Sequence, residues 1–195
     1  MWYWVACSLC AQEPGARFGT TVVIPDGLRG QIYYIKPNSE QLPDFRKLKP
    51  VGTIYTTSLN VPPQQFDLGF PGVTDRFEWF AIDYTGRIWI EKPGSYHFSL
   101  LSDDGSKLYL DDRRIIDNDG VHPPERRDGI ARLTTGIHRI EVAYFQGPGQ
   151  AIALVLEVAP PGGPMRIFNV DEFKPPPGAD IPVDLPLNDS GKKRK

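Results

Sequence analysis

The sequence predicts an all-β protein, an antiparallel β-sandwich of jelly-roll type with long rim loops. Three observations carry this. Turn formers are abundant, with Gly 19 and Pro 20 in the chain. The apolar runs between them are short and rich in β-branched and aromatic residues. No window sustains apolar residues at i, i+3, i+4 and i+7 over the length of a helix.

Each element follows in turn. Pro25-Asp26-Gly27 is a turn signal, after which Leu28 to Ile35 reads as a strand. Pro37 to Pro50 is polar and interrupted by Pro43, hence a loop or a single helical turn. Thr53 to Leu59 is a second strand, which Pro62-Pro63 is expected to close. Phe77 to Tyr84 and Arg87 to Ile90 read as two strands around a Thr85-Gly86 turn. Tyr96, Phe98 and Leu100 alternate with Ser95, His97 and Ser99, the period of a half-buried strand. Leu108 and Leu110, then Ile115-Ile116, continue on either side of an Asp111-Asp112 turn. Ile130 to Leu133 and His138 to Tyr144 flank Thr134-Thr135-Gly136 as a hairpin, and Ile152 to Val158 is the last strong strand. Ile167 to Phe173 adds one more strand or a capping turn.

The chain divides into an apolar lead-in over 1–26, a sandwich over 27–173 and a proline-rich tail with a basic end over 174–195. The opening Met1 to Gln12 resembles the apolar end of a secretion signal, with small residues before a cleavage point after Ala11. It lacks a basic start. Export to the cell envelope or beyond is the expectation. The tail reads as a solvated spacer or a linker.

Composition removes several classes of function. The formal net charge is -2, so no global field draws the protein to nucleic acid or to an anionic membrane. No run approaches the roughly 18 apolar residues needed to cross a bilayer as a helix. Both cysteines, Cys7 and Cys10, lie in the first segment, which leaves the body without disulfides or thiolate metal sites. His97 and His138 fall at polar-facing strand positions, which predicts surface roles. The Gly-x-Ser-x-Gly, HExxH and phosphate-loop patterns are absent. No enzyme is expected.

One stretch stands apart. Ser102-Asp103-Asp104-Gly105-Ser106 sets two adjacent carboxylates on a loop between strands, a concentration of charge that is costly unless solvated or met by a cation. Calcium suits such a loop, because it takes about six to eight oxygens in irregular geometry. Alone, Asp-Asp-Gly is also an ordinary turn. Asp117-Asn118-Asp119-Gly120 and Gln146-Gly147-Pro148-Gly149-Gln150 are further oxygen-rich segments at strand ends. If the strands alternate in direction, these three loops share one rim.

Ser102 to Asp111 followed by Ile115-Ile116-Asp117-Asn118 closely resembles the signature of the protective antigen fourteen-kilodalton domain family. Gly27 to Tyr34, Gly86 to Ile90 with Pro93 to Phe98, and Gly136 to Gln146 are similar to other strands of that family, so the likeness runs from about Gly27 to Phe173. The resemblance implies a module found in bacterial toxins, adhesins, glycosidases and outer-membrane proteins. In its sugar-binding members an Asp-Asp pair joined by a cis peptide holds calcium, and the ion takes vicinal sugar hydroxyls. Carried over, this implies Asp103, Asp104, Gln146 and Gly147 as the calcium site. Asp117, Asn118, His122 and Gln150 become candidate ligand contacts, with His122 to Arg127 as a specificity loop. Trp79, Trp89 and Tyr144 are either sugar-stacking surfaces or core. The implied partner is a glycan or polysaccharide, with neighbouring domains or envelope proteins as further partners. Other family members serve as structural or interaction modules, or accompany carbohydrate-active enzymes, and the Asp pair is then only a turn.

Overall fold

The computed structural model describes residues 27–149, 151–177 and 179. Cys7, Cys10, the rest of the lead-in, Gln150 and the basic tail lie outside the described residues. Eleven strands follow in order: β1 (Leu28–Tyr34), β2 (Gly52–Thr56), β3 (Asn60–Gln65), β4 (Phe80–Ile90), β5 (Gly94–Asp103), β6 (Ser106–Leu110), β7 (Arg113–Asn118), β8 (Glu125–Leu133), β9 (Gly136–Gln146), β10 (Ala151–Ala159) and β11 (Arg166–Ile167). Single 3-10 turns sit at Phe45–Lys47, Phe66–Leu68 and Val170–Phe173.

One sheet runs β2-β1-β4-β9-β6-β7, and the other β11-β10-β5-β8 with β3 also on β10. All strand pairs given by the register are antiparallel. The inward residues of both sheets form the core, which includes Phe80, Tyr84, Phe98, Leu100, Tyr144, Leu156 and Phe168. Each fully buried apolar side chain of this size contributes about 1.5–3 kcal/mol of transfer free energy. The sandwich predicted from composition and alternation is therefore observed.

Three sequence expectations are corrected. Pro62 and Pro63 do not end a strand but lie inside β3. Among the described residues β3 pairs with β10 alone, and the register shifts between Ile152 and Leu154. Such an edge position with an irregular ladder tolerates residues that lack an N–H. Thr85-Gly86 is not a turn: β4 runs unbroken for 11 residues through it. A Cβ on Gly86 would stand 2.7 Å from Leu28 Cδ2, so the glycine serves a close approach between strands. His138 is not a surface residue but is 7% exposed, with Nδ1 2.6 Å from Asp111 Oδ2 and Nε2 2.8 Å from the Thr134 carbonyl. It ties the β6–β7 turn to the β8–β9 hairpin.

At the opposite end, the β5–β6, β7–β8 and β9–β10 connections meet. They are separated by pairs of strands, and in an antiparallel arrangement that returns each to the same rim. The candidate site forms there.

Candidate functional site

Asp103 ends β5, Asp104 follows it, and the peptide bond between them is cis. Both residues are buried, at 5% and 2% exposure. Gly105 leaves no space for a larger residue, since a Cβ there would lie 2.4 Å from Phe145 Cε1 and 2.8 Å from the Gly120 nitrogen. Its carbonyl accepts from Phe145 N–H at 2.9 Å, which fixes the loop onto β9.

Asp104 is gripped by main chain. Its Oδ2 accepts from Gly147 N–H at 2.8 Å, and its Oδ1 accepts from His122 N–H at 3.1 Å. These two bonds draw the three loops together, as strand counting predicted. Gly147 is the residue type that fits, because a Cβ would come within 3.2 Å of Asp104 Oδ2. Such N–H donors favour the ionised carboxylate, yet burial opposes it and wins, raising the Asp104 pKa above the ordinary carboxylate range. Burial and then the neighbouring charge of Asp104 push Asp103 up to about 6. Among the described residues, neither carboxylate has an Arg or Lys in salt-bridge contact.

Gln146 is fully buried behind the pair. Its Nε2 donates to Asp104 Oδ2 at 3.3 Å and to the Ala151 carbonyl at 3.1 Å, and its Oε1 lies 2.6 Å from the Tyr144 hydroxyl. Turning the amide over would set its oxygen against a carboxylate and a carbonyl, so the bonding fixes this orientation. Its main-chain carbonyl accepts from Trp79 N–H at 2.8 Å. Gln146 therefore presents its side-chain donors to Asp104 and braces it. Gly147 likewise meets Asp104 through its nitrogen. The Tyr144 hydroxyl also lies 2.8 Å from the Asp103 carbonyl, and its single proton serves one of these two oxygens at a time.

Asn118 is 4% exposed, with Nδ2 donating to Ser102 Oγ and to the Glu125 carbonyl, both at 3.0 Å. Those bonds use its nitrogen and leave Oδ1 as the side chain's acceptor. Ser102 and Ser106 continue the network, with hydroxyl oxygens 2.7 Å apart. Asp117 is its neighbour in the chain. It is exposed on the other face of β7 and ion-paired to Arg114 at 2.6 Å, because successive strand residues point to opposite sides.

His122 is half-exposed at the rim, its ring nitrogens 2.9 Å from the Pro123 carbonyl and 3.0 Å from the Asn118 carbonyl. The expected specificity loop is shorter than His122 to Arg127, because β8 begins at Glu125. Tyr144 is core and no stacking surface, and half-buried Trp89 pairs with Ile137 near the far end of β4. Trp79 is half-buried beside the site. Sequence reading missed residues 38–41, which wall a cavity of about 430 Å³ with Trp79, Val121 and Pro148. They lie in an irregular loop, and the only local signal was its polarity.

The family model for the PA14 domain matches residues 26–171. No curated protein is similar enough in sequence to match the chain. Among solved structures, the chain is similar to a PA14 sugar-binding domain from an RTX adhesin, at 22% identity and TM-score 0.62, covering 74% of this chain and 96% of that one. It is also similar to an anti-sigma factor domain-containing protein at 20% identity and TM-score 0.59, covering 78% of this chain. The chain spans about half of that protein's length, 49%. A third likeness is to the Epithelial Adhesin 9 A domain from Candida glabrata in complex with Galb1-3GlcNAc, at 10% identity and TM-score 0.53, covering 75% and 87%. At these identities the likeness is one of fold.

Proposed function

We propose, from the premise that this chain belongs to the PA14 domain family, that it is a carbohydrate-binding module holding its sugar through calcium on Asp103 and Asp104. The single observation that carries the reading is the electrostatic state of the pair. Two adjacent carboxylates are buried at one rim, Asp103 is pushed up to about 6, Asp104 is aimed by main-chain N–H donors, and among the described residues neither has an Arg or Lys in salt-bridge contact. A hard divalent cation is the partner such oxygens fit.

Asp103 and Asp104 would hold the ion, and Asn118 Oδ1 is a candidate further oxygen from the same rim. Among the described residues no cluster of three or more His, Cys, Asp or Glu is present. Main-chain carbonyls, water and the ligand would supply the remaining positions. Bound calcium would supply positive charge and free coordination positions for two neighbouring sugar hydroxyls. Gln146, Gly147 and the His122 main chain hold Asp104 in orientation, and Tyr144 in turn anchors Gln146.

The reading agrees with the printed descriptions of the RTX adhesin domain as sugar-binding and of the Candida adhesin domain as glycan-bound. It makes the chain a non-catalytic module of an exported or cell-envelope protein. No helix among the described residues is long and apolar enough to cross a membrane. A glycan array probed in millimolar calcium and again with excess chelator tests it. Glycan signals that vanish with the chelator are expected. Absence of any glycan signal in calcium would instead favour a structural or protein-interaction module.

A further inference from the structure

The two residues whose N–H groups grip Asp104 are Gly147 and His122, and their direct neighbours Pro148 and Val121 form one wall of the 430 Å³ cavity. Its volume falls in the range of about 300–1,000 Å³ found for small-ligand sites. The facing wall is the loop 38–41, and it is anchored. Ser39 bonds back to the Lys36 carbonyl, and Leu42 N–H donates to Asp119 Oδ1 at 2.8 Å. Asp119 is itself held by Lys107 Nζ at 2.6 Å.

Trp79 completes the cavity, and its backbone is unusual. It has φ 61, a left-handed conformation that bulky side chains rarely adopt. Three hydrogen bonds over-determine it: its N–H donates to the Gln146 carbonyl at 2.8 Å, and its carbonyl accepts from Ile35 N–H at 3.0 Å and Arg76 Nη1 at 3.2 Å. Outliers held in this way cluster at binding sites. Trp79 is half-buried, packs against the small cluster of Ile35, Ala81 and Phe145, and is one of the residues that line the cavity. The residue that braces Asp104 thus also fixes Trp79.

We infer that this cavity is a second sugar subsite, so that the ligand is a neutral oligosaccharide of at least two rings. The inference rests on the proposed sugar site at Asp103 and Asp104. A first ring engages that site, and the next lies with its C–H face across Trp79, between Val121, Pro148 and the amides of Asn38 and Gln41. Neutrality follows from the lining. Among the described residues that line it, Glu40 alone is ionisable, so a uronate or sulfate would meet a like charge there.

The test is a glycan array carrying neutral mono-, di- and trisaccharides with uronate- and sulfate-bearing counterparts, probed in millimolar calcium. The proteins are the wild type, Trp79→Ala and Glu40→Lys, each checked by thermal melting. The wild type is expected to favour neutral di- and trisaccharides. Trp79→Ala is expected to lose about tenfold or more in affinity for these, a larger loss than for monosaccharides. Glu40 is exposed, so Glu40→Lys keeps the inference testable if Trp79→Ala fails to fold, and it is expected to admit acidic glycans. Equal losses for mono- and oligosaccharides, or unchanged selectivity in both folded variants, would overturn the subsite while leaving the Asp-pair site standing. A wild type that binds no glycan in calcium would overturn both.

Discussion

Gly147 N–H stands 2.8 Å from Asp104 Oδ2, and this bond joins the loop after β9 to the loop after β5. It explains why Asp104 is buried yet arranged for charge. The donor is main chain, so the bond costs no side-chain ordering, and the glycine lets the two backbones approach.

The same close packing predicts the effect of enlarging Gly105. Its absent Cβ would overlap Phe145 and two backbone atoms of Gly120, and backbone has little freedom to retreat. Gly105→Ala is expected to destabilise the fold by about 2–3 kcal/mol. Denaturant melting of the purified variant checks this, and an unchanged midpoint would contradict it.

Tyr144→Phe keeps the buried ring but removes the hydroxyl that serves the Asp103 carbonyl and Gln146 Oε1. Leaving those oxygens without a donor is expected to cost about 1–3 kcal/mol of stability. Freed from its anchor, Gln146 holds Asp104 less firmly, so calcium affinity falls as well. Paired melting and calcium titrations separate the two effects.

The raised Asp103 pKa has a definite sign. The folded chain holds this proton up to about pH 6, whereas the unfolded chain releases it near the ordinary carboxylate value of 3.8. Between these values the native state binds more protons than the unfolded state, so stability falls as pH rises. The contribution is fully present below about pH 4 and lost above about pH 6. In chelator, the stability difference between wild type and Asp103→Asn is expected to shift against the wild type across that window. Added calcium is expected to stabilise the protein more at pH 7 than at pH 4.5, because protons compete for the same oxygens. Calorimetric melting at several pH values reads both effects.

Asp117 gives a control on the same strand. It points away from the site and pairs with Arg114 on an exposed surface, where such ion pairs are worth little. Asp117→Asn is expected to change neither glycan nor calcium affinity, while Asn118→Ala weakens glycan binding. Array titrations of the two variants make the comparison, and a loss in Asp117→Asn would contradict the assignment of faces.

Much of the fold was legible because strand alternation is local: Tyr96, Phe98 and Leu100 point inward as their spacing requires. The errors arose where tertiary surroundings decide. Gly86 is a packing residue only in view of Leu28, and Pro62-Pro63 is tolerated only where the ladder is at an edge. At the site, the Asp pair and the convergence of three loops were readable from sequence. Which atom of Gln146 faces Asp104 was not, because it depends on Tyr144, Ala151 and Trp79 acting together. The cavity wall at 38–41 was equally silent, since its position is set by Asp119, 77 residues from Leu42.

The most direct test of the Asp-pair account is a calorimetric calcium titration of chelator-stripped protein beside Asp104→Asn, both shown folded by melting. The account predicts one calcium per chain in the wild type and none in the variant, since the exchange keeps the side chain's shape and removes its charge. Equal calcium binding in the two proteins, or none in the wild type at millimolar concentration, would contradict it.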